Sequence, residues 1–225
     1  MSVRMRLLAI DTSESVARWV GVNQHGLLDP TEVVAGKRHD AVLASGVREF
    51  LRTNAWPSVD AVAVVTGPGG FTGLRVGVAF ATGLAKAWGV PVVPLSLYER
   101  LAAMASGGVV WAIVYAGRGE VRYRLMRGGI PPVAIGEVES CPVHDLTPPE
   151  GTESVLPLGE GFVKHRQTIE TLLGGRLDTA AKRITPSEAL GWAAKSAYEA
   201  GRLVAPEEVD VDYGADFQPT PKKSG

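Results

Sequence analysis

The residues with the plainest chemical potential lie in the loop Gly67-Pro68-Gly69-Gly70-Phe71-Thr72-Gly73, between the apolar run Val59 to Val65 and a helical stretch running from about Leu74 to Trp88. Glycines there permit positive φ and close approach of a backbone, and a helix start just beyond supplies N–H groups that suit an anion. The familiar phosphate-binding fingerprints do not fit. A Walker A loop enters its helix as Gly-Lys-Ser or Gly-Lys-Thr, whereas Gly73 is followed by Leu74 and Arg75. The dinucleotide pattern needs a third glycine where Thr72 stands and an acid about 20 residues on, yet Gly67 to Leu97 holds no Asn, Asp or Glu. Two readings stay open: the loop touches a phosphate, or it is a tight turn that packs a helix onto a sheet. Asp11, followed by Thr12 and Ser13, also has two readings, positioning a metal-bound water beside a phosphate or capping a turn. His25, His39, His144 and His165 share no helix-turn spacing and Cys141 is the single cysteine, so neither a metal site nor a nucleophile and base pair is legible.

Hydrophobic periodicity gives the elements that must hold these residues. Met5 to Ile10 reads as a buried strand, Val16 to Val22 as its hairpin partner, and Val33 and Val34 lie on a third strand. Leu43, Val47, Phe50 and Leu51 mark an amphipathic helix that ends near Asn54, and Pro57 blocks its continuation. The apolar run, glycine loop, helix and a short strand at Val90 to Val93 then form one parallel α/β unit. Ser96 with Glu99 makes a capping box for a helix through Leu101 and Met104. A second hairpin turns at Gly117 to Gly119, one strand is expected over Val133 to Val138, and helical patterns return at Phe162 to Leu173 and Pro186 to Ala200. The tail Pro219 to Gly225 is expected to fray.

Composition narrows the partners. The 225 residues are 45% hydrophobic, enough for a sizeable core in one large domain or two small ones. With 23 Lys plus Arg against 24 Asp plus Glu, no global positive field attracts nucleic acid or an anionic membrane. Arg118, Arg122, Arg124 and Arg127 cluster, which reads as a solvated hairpin face. No apolar run approaches the roughly 18 residues of a membrane span, and Leu7 to Ile10 is too short for a signal-peptide core, so a cytoplasmic protein is expected.

The helix after the glycine loop has apolar or small residues round most of its circumference and therefore wants cover on two sides. Gly77 and Gly83 each cost about 1 kcal/mol of helix propensity, so close packing should return something. One reading has both sides covered within the chain. The other leaves, with the helix around Leu43 to Leu51, a shared apolar surface for another chain, through Leu43, Val47, Phe50, Leu74, Gly77, Val78, Ala81 and Ala85.

Leu8-Ala9-Ile10-Asp11-Thr12-Ser13, Val65 to Gly77, and Gly89-Val90-Pro91-Val92-Val93-Pro94-Leu95-Ser96 together resemble the TsaB (YeaZ) family. The match is specific to about residue 105 and thins afterwards to Gly119-Glu120-Val121, Gly159-Glu160-Gly161, the helix opened by Pro186, and Asp212-Tyr213. Where the family has Asp-Ala-Arg before Gly-Glu-Val, this chain has Tyr115-Ala116-Gly117-Arg118. The resemblance implies an α/β fold of the actin and Hsp70 (ASKHA) type, with one lobe over residues 1–98 and a reduced one over 99–225 whose extreme C-terminus returns to the first. It implies a noncatalytic, dimerising partner of TsaD in forming N(6)-threonylcarbamoyladenosine in tRNAs that read codons beginning with A. TsaE joins the assembled complex, a homodimer forms in TsaD's absence, and tRNA is met only through the complex. In TsaD-like chains two histidines four apart ligate a metal; the matching positions here are Leu97 and Leu101, which have no lone pair to offer. No catalytic residue, metal or required cofactor is therefore expected. The competing expectation is an ATPase or phosphotransferase of the same fold, binding ATP or ADP with magnesium through Asp11, Thr12, Gly67, Gly69, Gly70, Thr72 and Gly73.

Overall fold

The computed structural model describes residues 5–35 and 38–213; the tail expected to fray lies outside the described residues. Strands β1 (Arg6–Asp11), β2 (Val16–Asn23) and β3 (Gly26–Val34) form an antiparallel meander. Helix α1 (His39–Thr53) leads to β4 (Ala61–Gly67), α2 (Phe71–Trp88) and β5 (Val92–Ser96), with β4 and β5 joining parallel to β1. The resulting order is β3-β2-β1-β4-β5.

Alternation along the strands fills two separate cores, as a period of two requires. Leu7, Ala9, Ala61, Ala63, Val65, Val93 and Leu95 face one side of the sheet, and Leu8, Ile10, Val62, Val64 and Val92 the other. The second side is covered by α1 and α2. The first is covered by α3 (Leu97–Ala103) and α6 (Pro186–Glu199).

A second sheet contains β6 (Val109–Gly117), β7 (Glu120–Arg127), β8 (Val133–Ala134), β9 (Glu139–Pro142) and β10 (Leu156–Leu158). Its order is β10-β6-β7-β8, with β9 also paired to β7. Helices α4 (Glu160–Lys164) and α5 (Arg166–Leu173) follow, and α3 lies between the two sheets, with Leu97 and Leu101 buried in their shared core.

Four elements depart from the periodicity: the helical pattern over Phe162 to Leu173 is broken at His165 into α4 and α5, and three others shift their bounds. Helix α2 starts at Phe71 rather than near Leu74, because Leu74 N–H already bonds the Gly70 carbonyl. Strand β5 runs from Val92 to Ser96, not Val90 to Val93, because Val90 N–H bonds the Ala85 carbonyl in the left-handed Gly89 cap of α2. The strand expected over Val133 to Val138 stops at Ala134, since Ile135 and Gly136 N–H both turn onto the Leu125 carbonyl.

Both capping boxes form. Ser96 Oγ accepts from Glu99 N–H and Glu99 accepts from Ser96 N–H; Thr185 and Glu188 repeat this at α6. The Thr185 backbone N–H and hydroxyl hold the Glu188 carboxyl below its ordinary pKa. Its folded-state pKa being lowered, the box contributes fully above the ordinary carboxylate range and loses its effect as pH falls through the folded value. Thr185→Ala should lower stability by about 1 kcal/mol at neutral pH, read as a shift in the urea midpoint, with the difference shrinking in acid.

After α6 the chain returns along the first sheet. Val204 pairs with Val92, Val209 and Val211 pack, partly buried, against the core on the α1 and α2 side of the sheet, and Asp212 N–H bonds the Thr66 carbonyl.

Candidate functional site

Asp11 ends β1 and is fully buried. One carboxylate oxygen, Oδ1, accepts from Ser13 N–H at 2.8 Å and Ser13 Oγ at 2.6 Å. The other, Oδ2, faces Arg100 Nε at 3.1 Å and Arg18 Nη1 at 3.6 Å, as ion pairs without hydrogen-bond geometry. Arg100 reaches on to Glu14, and Arg18 to Glu14 and Glu32. Two guanidinium groups and three carboxylates thus interlock the turn after β1 with β2, β3 and α3. Burial alone would push the Arg100 guanidinium down; Glu14, Asp11 and Glu32 outweigh it, raise its pKa, and keep it charged. Both Asp11 oxygens are engaged by the protein, so the residues here do not fit a magnesium ion or its water. The turn-capping reading of Asp11 is the one this geometry realises.

The glycine loop presses on the same turn. Thr12 Oγ1 donates to the Gly73 carbonyl at 2.7 Å, and Gly70 N–H donates to the Ser13 carbonyl at 2.7 Å. A Cβ on Gly73 would lie 2.1 Å from the Thr12 carbonyl oxygen, and one on Gly69 2.5 Å from that of Ser13. Gly77 approaches Thr12 Oγ1 equally closely, and Gly67, at φ +149°, lies against the Asp212 backbone. These glycines serve close approach within the chain. Gly73→Ala should therefore cost roughly 1–3 kcal/mol, because a backbone carbonyl rather than a flexible side chain must yield; thermal unfolding measures it.

Two clefts flank the loop. One, of about 620 Å3, is lined by residues including Thr12, Ser13, His39, Gly70, Thr72 and Glu160. The other, of about 330 Å3, lies between Pro68–Phe71 and Val114–Gly117, with Arg122 and Tyr213 at its wall. Of the loop candidates, Gly69 and Gly70 meet Ser13, Gly73 meets Thr12, Gly67 meets Asp212, and Thr72 is exposed. Among the described residues no group of three His, Cys, Asp or Glu could hold a metal ion. No described helix is long and apolar enough to cross a membrane.

The surface expected from Leu43, Val47, Phe50, Leu74, Gly77, Val78, Ala81 and Ala85 is corrected by the packing. All eight are buried inside the chain, between α1, α2 and the sheet. A charge at Ala81, which is 0% exposed, would disrupt this core rather than any seam with another chain. The outward side of α2 carries instead exposed Ala79, Gly83 and Ala87 with half-buried Val76 and Phe80. Arg18, Arg100 and Tyr213 had no readable role: the arginines meet Asp11 only through tertiary folding. For Tyr213 the family-like Asp212-Tyr213 pair was a signal, without a function attached.

A three-strand meander extended by parallel α/β units, echoed by a shortened second sheet, with a glycine loop at the junction, defines an actin-like two-lobe α/β protein. The family model for TsaD, tRNA N6-adenosine threonylcarbamoyltransferase, matches residues 30–129. The tRNA threonylcarbamoyladenosine biosynthesis protein TsaB of Bacillus subtilis (strain 168) is 29% identical over 187 residues, covering 79% of this chain and 82% of that protein. TsaB of Escherichia coli (strain K12) is 36% identical over 105 residues, 44% of this chain and 43% of that protein. The solved structure of YeaZ from Pseudomonas aeruginosa aligns at a TM-score of 0.79 with 25% identity, over 92% of this chain and 98% of that one. The chain is thus similar, over most of its length, to proteins of the TsaB (YeaZ) family.

Proposed function

We propose that this chain acts in tRNA threonylcarbamoyladenosine biosynthesis as the noncatalytic partner of a TsaD-type transferase, docking through the outward side of α2. The observation that carries the docking surface is Gly83. It sits inside an 18-residue helix, where glycine is costly, and a Cβ built on it meets nothing within 4 Å. Gly73 and Gly77 are used within the chain; the small size of Gly83 gains nothing until another helix approaches closely. Flanked by Ala79, Ala87, Val76 and Phe80, it offers a shallow apolar strip of the kind that helix pairs bury.

The noncatalytic part of the reading is supported by Asp11, whose carboxylate is enclosed by Arg18, Arg100 and Ser13, and by Leu97 and Leu101, buried apolar groups at the positions where the TsaD pattern has metal-binding histidines. A role for bound ATP or ADP is not needed by this reading. TsaE in the full assembly, a homodimer when TsaD is absent, a cytoplasmic location and contact with tRNA only through the complex belong to the same proposal. Reconstitution tests it: with TsaD and the remaining enzymes supplied, tRNA modification should require this chain, and this chain alone should produce none. Modification that proceeds equally without it would refute the proposal.

A further inference from the structure

The segment from Leu203 to Tyr213 has no regular structure beyond one bridge and a short 3-10 turn, yet it is held at every stage. Near the C-terminal end of α2, Val204 exchanges two backbone bonds with Val92, N–H to carbonyl in each direction at 3.0 and 2.9 Å. Leu203 and the turn at Pro206–Glu208 lie beside Ala85, Lys86 and Gly89. Val209 and Val211, partly buried, pack against the core that the helix covers. Asp212 N–H then bonds the Thr66 carbonyl at 2.9 Å. At the N-terminal end of α2, the Tyr213 ring lies 5.0 Å from that of Phe71, and its hydroxyl accepts from Arg75 Nε at 2.9 Å. The segment thus accompanies α2 from one end to the other.

The last link goes elsewhere. The Tyr213 carbonyl accepts from Arg122 Nη1 at 2.7 Å, and Arg122 stands on β7 of the second sheet. One residue is therefore tied to the first turn of α2 by its side chain and to the other lobe by its backbone, across the cleft formed by Pro68–Phe71 and Val114–Gly117. Gly67 is required for this path, because a Cβ there would collide with the Asp212 carbonyl.

We infer that Leu203–Tyr213 is an interlobe clasp, pinned by Tyr213, which fixes the aperture of that cleft and couples the second lobe to the partner-facing helix α2. The clasp stands on the contacts above; its coupling to partner binding rests on the function proposed for α2.

Hydrogen exchange on the full-length chain, alone and with TsaD, tests both parts. Tyr213→Ala removes the ring and hydroxyl contacts and leaves a backbone carbonyl for Arg122. Arg122→Ala removes only the link to the second lobe, and so serves if the first variant folds poorly. In either variant, amides of residues 67–72 and 115–119 should exchange about tenfold faster while those of β1 and β2 keep their protection. Tyr213→Phe, which retains the ring and the carbonyl, should resemble the unmodified chain. TsaD affinity should fall about five- to tenfold in the two alanine variants. Unchanged exchange at the cleft would overturn the clasp. Faster exchange with unchanged TsaD affinity would overturn the coupling, and an unmodified chain that fails to bind TsaD would overturn the α2 docking reading while the exchange result still decides the clasp.

Discussion

Gly83→Arg should weaken association with a TsaD-type partner about 100-fold while leaving the isolated chain as stable as before or slightly more so. The two effects come from the same geometry. In the free chain the site is open, so an arginine side chain meets no obstacle, and replacing glycine in a helix interior returns about 0.8 kcal/mol of propensity. In a helix-to-helix seam the same side chain holds the backbones apart and places a charge among apolar groups. Loss of about 100-fold in affinity, roughly 2.7 kcal/mol, is the scale expected at the centre of an interface. Calorimetric titration for binding and thermal unfolding for stability separate the two. An affinity left unchanged by the substitution would move the interface off this side of α2.

Arg100→Ala should act in the opposite way, on the fold rather than the surface. Arg100 is 1% exposed and faces Asp11, itself fully buried, and Glu14. Removing it leaves carboxylates without their main counter-charge in a place that water reaches poorly. Breaking a buried pair from one side typically costs about 3–5 kcal/mol, a large share of the roughly 5–15 kcal/mol that holds a typical protein together. Lysine should not restore the loss, since a single ammonium cannot span Asp11 and Glu14 as the planar fork does. Denaturant titration of the two variants checks both statements.

The contrast between these positions shows which features a linear sequence carries. Leu7 to Ile10 alternate between two cores, and the capping boxes at Ser96 and Thr185 are local patterns, so the strands of the opening meander and the starts of α3 and α6 were legible. Helix α2 was legible as a helix but not as an oriented one. Its residues are apolar or small on nearly every side, so periodicity does not say which side meets the sheet; the eight residues expected at a partner surface proved to be the inward ones. The ion network joins Asp11 and Glu14 to Arg100, more than eighty positions away, through contacts no local pattern encodes. From Gly128 to Pro157 short strands, prolines and turns replace periodicity, and the second sheet could only be sketched. The path of Leu203–Tyr213 was hidden for the same reason, since its hold on the fold comes from single contacts with distant backbone.

The most direct test of the central claim is the solution mass, by light scattering, of the chain alone and mixed with TsaD from the same organism. A one-to-one complex that replaces any homodimer is the predicted result. A mixture in which both proteins keep the masses they have alone, at concentrations well above micromolar, would contradict the assignment of this chain as TsaD's partner.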